Sequence, residues 1–176
     1  HYGASEYYDG FKRTAVKRDG GGDGSRWSDP LNWSGDTLPG AADDVTIAFG
    51  SNTIQHNSGT DTVNSLTTNN KLTLTGGTLS VVTTAQVNNT FTVNGGTLSG
   101  GTVKVTGSNL TFGSSTSNRL TGVTVNGDLD LSATSARVKI EEGTTFVTAH
   151  LIGSSSAIGF APGQTLTGTI LFEGSS

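Results

Sequence analysis

The sequence has no cysteine and no methionine, only three prolines, and few charged residues, which make up 14% of its 176 positions. Without cysteine, the chain has neither a disulfide framework nor a thiolate zinc or redox site. No apolar run approaches the ~18 residues of a membrane-spanning helix, so we predict no membrane insertion. A formal net charge of −4 offers no basic surface to a phosphate backbone, so we predict no nucleic-acid partner.

What replaces these residues is an excess of small polar ones. Glycine, threonine, serine and asparagine together fill 87 of the 176 positions. All four are poor helix formers, which makes a helical domain very unfavourable. Low apolar content is also typical of disorder, but here the apolar residues keep a regular phase over a hundred positions. The composition therefore predicts an ordered all-β protein.

An internal repeat organises most of the chain. Residues 69–80 and 88–99 both end in Gly-Gly-Thr-Leu-Ser, and they align at an offset of 19 residues. The same phase extends in both directions, with spacings of 17 to 20 residues. We expect one inward-pointing ladder from its members, which are Ile54, Leu72, Phe91, Leu110, Leu129, Phe146 and Leu166.

Within each repeat the apolar residues alternate with polar ones, as in Leu72-Thr73-Leu74, which is the strand period. About 19 residues cannot hold a βαβ unit, which needs roughly 30. They can form one coil of a parallel β-helix, whose apolar face is buried by stacking coil on coil. We predict a single-stranded right-handed parallel β-helix, a β-solenoid, of about seven coils of 17–20 residues with an N-terminal cap.

Three regions follow from this interpretation. Residues 1–26 are expected to be an arm or linker, residues 27–50 the cap of the solenoid, and residues 51–176 the repeats. The first coil has an open apolar end that needs bulk to cover it, which the cap supplies through Trp27, Trp33 and Leu38. An apolar strand lies close to the last residue without a second cap, so we expect truncation there and a parent chain that continues.

The segment Asp19-Gly-Gly-Gly-Asp23-Gly-x-x-Trp27-Ser-Asp29-Pro-x-Asn-Trp33 resembles a segment of very large bacterial surface or secreted proteins. There it precedes β-helical repeats rich in glycine, threonine and asparagine. The resemblance covers residues 19–47 specifically and the rest by general pattern. It implies a parallel β-helix in an adhesin-like, extracellular or cell-surface setting, and it supplies no catalytic residues.

Two sets of residues are candidates for binding. Trp27 and Trp33 could stack on sugar rings, although burial within the cap is the stronger interpretation for residues of this size. Close spacing of acidic residues and glycine could hold a structural calcium ion; the candidate ligands are Asp19, Asp23, Asp29, Asp43 and Asp44. The alternative is that these aspartates cap turns. No other cofactor is expected.

Catalysis has little support in the sequence. Residues 51–176 hold only six acidic residues, whereas β-helical lyases and hydrolases need several carboxylates on neighbouring coils. We expect Thr111 and Val147 to flank Asp130, so no second carboxylate would lie beside it. Arg137-Val138-Lys139 is similar to a basic motif of polygalacturonases, but the matching acidic motifs are absent. The histidines are expected at exposed or corner positions.

An outward threonine ladder is also expected, formed by Thr73, Thr92, Thr111 and Thr167. Such a row would suit an ice-binding solenoid, but Asp130 and Val147 should interrupt it. The sequence thus predicts a non-catalytic structural or adhesive module of a larger bacterial protein, with glycans or cell-surface components as partners. The alternative is a carbohydrate-active or glycan-binding β-helix, and ice binding is a remote third.

Overall fold

The computed structural model describes residues 14–174, and within them the chain is all-β. Its nineteen strands form three parallel sheets that run along one stack, which confirms the predicted β-solenoid. Within this range the only helical element is a 3-10 turn, Pro30–Asn32. The three sheets hold six, six and seven strands, so the chain makes about six coils rather than seven.

Each complete coil contributes one strand to each sheet, as β6, β7 and β8 do. Sheet 1 contains β1 (Thr14–Lys17), β2 (Asp43–Ile47), β5 (Ser65–Thr68), β8 (Thr84–Val87), β11 (Thr102–Val105) and β14 (Thr124–Asn126). Sheet 2 contains β4 (Thr60–Val63), β7 (Thr78–Val81), β10 (Thr97–Ser99), β13 (Arg119–Thr121), β16 (Arg137–Glu141) and β18 (Ala157–Phe160). Sheet 3 contains β3 (Ile54–His56), β6 (Leu72–Leu74), β9 (Phe91–Val93), β12 (Leu110–Phe112), β15 (Leu129–Leu131), β17 (Thr148–Leu151) and β19 (Thr169–Phe172).

The core is a set of ladders in which like residues stack on like. Alternating side chains of each strand point inward, so equivalent residues of successive coils pack directly on one another. In sheet 2, Leu79, Leu98 and Leu120 form such a ladder, and all three are fully buried. The predicted sheet 3 ladder is confirmed over its first five members, which are Ile54, Leu72, Phe91, Leu110 and Leu129.

The last two members of that ladder were predicted wrongly. Leu129 pairs with Ala149, and Ala149 pairs with Ile170, at spacings of 20 and 21 residues. The coil after β16 is longer than its predecessors, because its residues form an extra bridge to sheet 1 between Thr124 and Thr145. Phe146 is therefore buried next to that bridge, ahead of sheet 3, and Leu166 is exposed.

The stack begins earlier in the sequence than expected. Strand β1 pairs in parallel with β2, with Val16 beside Val45 in the inward row of sheet 1. Part of the segment expected to be an arm, residues 1–26, therefore belongs to the solenoid; residues 1–13 lie outside the described range. The cap segment is threaded between these two strands, so it covers the end of the stack from within the fold.

Corners between strands rely on glycine and on buried polar side chains. Gly77 has φ +70°, and a Cβ built there would lie 2.1 Å from the carbonyl oxygen of Gly59 on the preceding coil, so only glycine fits. At another corner the buried Asn118 donates to the carbonyls of Gly113 and Arg137 and accepts from the amide of Gly95. Such contacts satisfy backbone groups that the sheets leave unpaired.

Candidate functional site

The two tryptophans lie inside the cap. Trp27 and Trp33 are 1% and 0% exposed, and their rings meet edge to face with centroids 4.8 Å apart. The indole nitrogen of Trp33 donates to the carbonyl oxygen of Trp27 at 2.8 Å. Trp27 also packs against the ring of His56 in the first coil. Neither indole presents a face to solvent, so sugar stacking would require the cap to open. Leu38 lies at the surface, 38% exposed.

Asp23 organises the loop that carries these tryptophans. One oxygen of its carboxylate accepts hydrogen bonds from the amides of Arg26 and Ser25 and from the side-chain amide of Asn32, all at 2.8–2.9 Å. These donors, with the amide of Arg26 foremost, lower the pKa of Asp23 to about 2. The same loop encloses Arg18, whose guanidinium donates to the carbonyls of Gly24 and Phe49.

The other predicted calcium ligands also accept hydrogen bonds from the protein. Asp29 accepts from the amides of Asp23 and Leu31, the latter as the cap of the 3-10 turn, and Asp19 accepts from Gly21. On sheet 1, Asp43 accepts from the amide of Gly40, and Asp44 from the side chains of Asn64 and Ser65. Within residues 14–174, no three acidic or histidine side chains converge in a metal-binding geometry. These bonds match the alternative interpretation, turn capping.

His56 and Asp61 form a pair at the base of the cap. Their register places them in inward rows, beside Leu74 and Leu79 of the next coil. His56, 1% exposed, was expected at the surface; its Nε2 lies 2.8 Å from Asp61 Oδ2 and its Nδ1 2.9 Å from the carbonyl oxygen of Gly76. A carbonyl only accepts, so Nδ1 carries a hydrogen and the contact with Asp61 requires a second proton. The first coil therefore buries a hydrogen-bonded polar pair under Trp27.

A second histidine links three coils at the other end of the stack. His150 on β17 contacts Glu173 at 2.6 Å and Asp128 at 3.1 Å. The hydrogen bond to Glu173, and then the one to Asp128, raise the pKa of His150 above its ordinary value. This network ties the last sheet 3 strand to the strand two coils before it. The bridge is electrostatic and lies at the surface.

The outward row of sheet 3 differs from its predicted composition. Thr73, Thr92 and Thr111 are neighbours as expected, and the hydroxyls of Thr92 and Thr111 lie 2.8 Å apart. The row continues with Asp130 and then His150, because the later coils are longer. Val147 and Thr167 are not part of it. Charged side chains thus end the hydroxyl row after three coils, which weakens the ice-binding interpretation.

The face of sheet 2 carries a basic pocket, lined by Arg119, Arg137, Lys139, Ala157 and Gly159 together with the loop before β13. Its cavity measures about 280 Å³. Arg119 and Lys139 are register partners on adjacent strands, and Glu141 bridges them with one oxygen, at 3.3 Å from Arg119 Nε and 3.2 Å from Lys139 Nζ. The motif Arg137-Val138-Lys139 was visible in the sequence. Arg119 was missed, because only the register brings it alongside.

A scan against protein-family models found no match to this chain. Searches of curated proteins and of solved structures found no significant similarity either. In the part of the chain that the structure describes, no helix is long and apolar enough to cross a membrane. The function must therefore be argued from the geometry of the molecule.

Proposed function

We propose that this chain is a stiff, non-catalytic structural or adhesive module of a larger bacterial protein, displayed at the cell surface or secreted. The observation that carries the proposal is the continuity of its three parallel sheets, which run without interruption from coil to coil. At about 4.8 Å per strand, six coils form a rod roughly 30 Å long.

The nature of the core supports a rigid rod. Its interior is filled by stacked aliphatic and aromatic ladders, in which nearly every inward side chain is fully buried. Each coil contacts only its two neighbours, so stiffness arises from many repeated local interfaces rather than from one central core. A geometry of this kind suits a spacer or a display surface.

The carboxylates of the coils support a non-catalytic role. Glu141 is bonded to two cations, Asp61 to His56, and Asp128 and Glu173 share His150. Paired acids such as these stabilise neighbouring coils and are poorly placed to exchange protons with a substrate. The resemblance of residues 19–47 to bacterial surface proteins, and the absence of oxidisable cysteine and methionine, agree with an extracellular setting.

Two measurements test this proposal. Small-angle scattering of the isolated protein should give an elongated particle, and limited proteolysis should leave residues 14–174 intact. Antibodies against the domain should label intact, unpermeabilised cells of the source organism. A compact particle, rapid cleavage within the coils, or label that appears only after permeabilisation would overturn the assignment. Turnover of a polysaccharide by the purified protein would overturn the non-catalytic part.

A further inference from the structure

The basic pocket on sheet 2 concentrates positive charge on an otherwise acidic protein. Three cations, Arg119, Arg137 and Lys139, face one carboxylate, Glu141, whereas the chain as a whole carries a formal charge of −4. General attraction between this protein and a polyanion is therefore unfavourable. An anion that binds here must respond to the local group of charges, which a single site can provide over the short range that salt permits.

Arg137 is the member with donors to spare. Its Nε donates to the carbonyl oxygen of Ser135 at 3.2 Å, which orients the guanidinium. Among the residues that the structure describes, no carboxylate lies within ion-pair distance of it. Its terminal nitrogens can therefore donate two parallel hydrogen bonds to a planar carboxylate or to a sulfate. Lys139 lies two residues along the same strand and adds a second positive charge on the same face.

The shape of the pocket follows from two small residues on the next coil. Ala157 and Gly159 are the register partners of Arg137 and Lys139, and neither has a side chain that reaches across the face. A Cβ built on Gly159 would meet no atom closer than 4.0 Å, and its φ lies outside the left-handed region. The glycine is required by neither the backbone nor the packing. Its absent side chain opens the cavity beside the two cations.

We propose that this pocket binds a carboxylate- or sulfate-bearing sugar unit of an acidic polysaccharide. The cavity of about 280 Å³ lies just under the ~300 Å³ lower end for small-ligand sites, which is room for one sugar unit. The site is open on the side of a rod, where a linear polymer can pass and seat single residues. A nucleic acid would need a longer basic track, since its affinity depends on many phosphate contacts. This inference goes beyond the structural role and does not depend on it.

Binding of alginate oligomers, which carry carboxylates, and of heparin, which carries sulfates, would be measured by titration calorimetry in low salt with a calcium chelator. Dextran serves as the neutral control, and single-stranded DNA as the alternative polyanion. We expect saturable binding to at least one acidic polysaccharide and none to dextran. Arg137→Gln should weaken it about tenfold, which corresponds to about 1.4 kcal/mol.

Two further variants separate a site from simple charge attraction. Gly159→Leu fills the cavity without changing any charge and should abolish binding, while its melting temperature stays near that of the wild type. Lys104→Gln removes one exposed positive charge from sheet 1 and should leave binding unchanged. Equal losses in Lys104→Gln and Arg137→Gln, unaffected binding in Gly159→Leu, tighter binding to DNA, or no binding to either acidic polysaccharide would each overturn the proposal.

Discussion

Replacement of Leu98 by alanine tests the nearest-neighbour stacking on which the rod depends. Leu98 is fully buried on β10, between Leu79 and Leu120 of the adjacent coils. A buried leucine-to-alanine change costs about 2–5 kcal/mol, because it removes apolar contacts and leaves a cavity. Leu98 contacts a coil on each side and the cavity cannot collapse without shifting both ladders, so we expect about 3 kcal/mol or more.

The assay is urea unfolding followed by two probes. Circular dichroism reports the sheets of the whole stack, whereas tryptophan fluorescence reports only the cap, since Trp27 and Trp33 are the two tryptophans of the chain. With a slope of about 2–3 kcal/mol per molar urea, the loss should lower the midpoint by about 1 M. Thr97→Ala, on the same strand with an outward side chain, is the matched control and should cost under about 1 kcal/mol.

Two results would refute this reasoning. If Leu98→Ala costs no more than Thr97→Ala, the inward ladder does not hold the coils together. If the two probes report widely separated transitions in the wild type, the cap and the coils unfold independently, and the stack is not one cooperative unit.

Three further predictions concern the corners and the charged networks. Gly77→Ala should destabilise the fold by well over 1 kcal/mol, because its Cβ meets the carbonyl of Gly59, whereas Gly143→Ala, at a similar φ of +77° with no neighbour within 4 Å, isolates the cost of backbone strain alone; urea unfolding of both variants measures the difference. Asp23→Ala should cost about 1–3 kcal/mol at neutral pH through its lost hydrogen bonds; since the pKa of Asp23 is lowered to about 2, this contribution is complete above about pH 4 and disappears as the pH falls towards 2, and a cost that persists there would contradict it. His150→Gln should show the opposite trend, because the raised pKa of His150 means that its contribution is complete below about pH 6.5 and is lost as the pH rises through the folded-state pKa; a wild-type advantage that grows at alkaline pH in thermal melts would contradict it.

The polar pair in the first coil shows what a closer examination of the sequence could have found. Asp61 occupies the phase of Leu79, and His56 that of Leu74, so the repeat itself places both side chains inward. Two polar residues at inward positions five residues apart in sequence indicate a mutual contact, since neither can be buried without a partner. We had expected His56 at the surface, because the argument considered each histidine alone.

The sequence by itself determined that the chain is a β-solenoid and set the register of its central coils. Between Ile54 and Leu129 the repeat length is almost constant, so the alternation of each strand specifies both its face and its neighbours. Only the tertiary structure decided the rest. Beyond Leu129 the corners lengthen, and hydrogen bonding between coils, rather than sequence spacing, places Ala149 and Ile170 in the ladder. The same register brings Arg119 beside Lys139. Residues of one coil acquire their neighbours on the next through the length of the intervening corners, and local patterns do not encode that length.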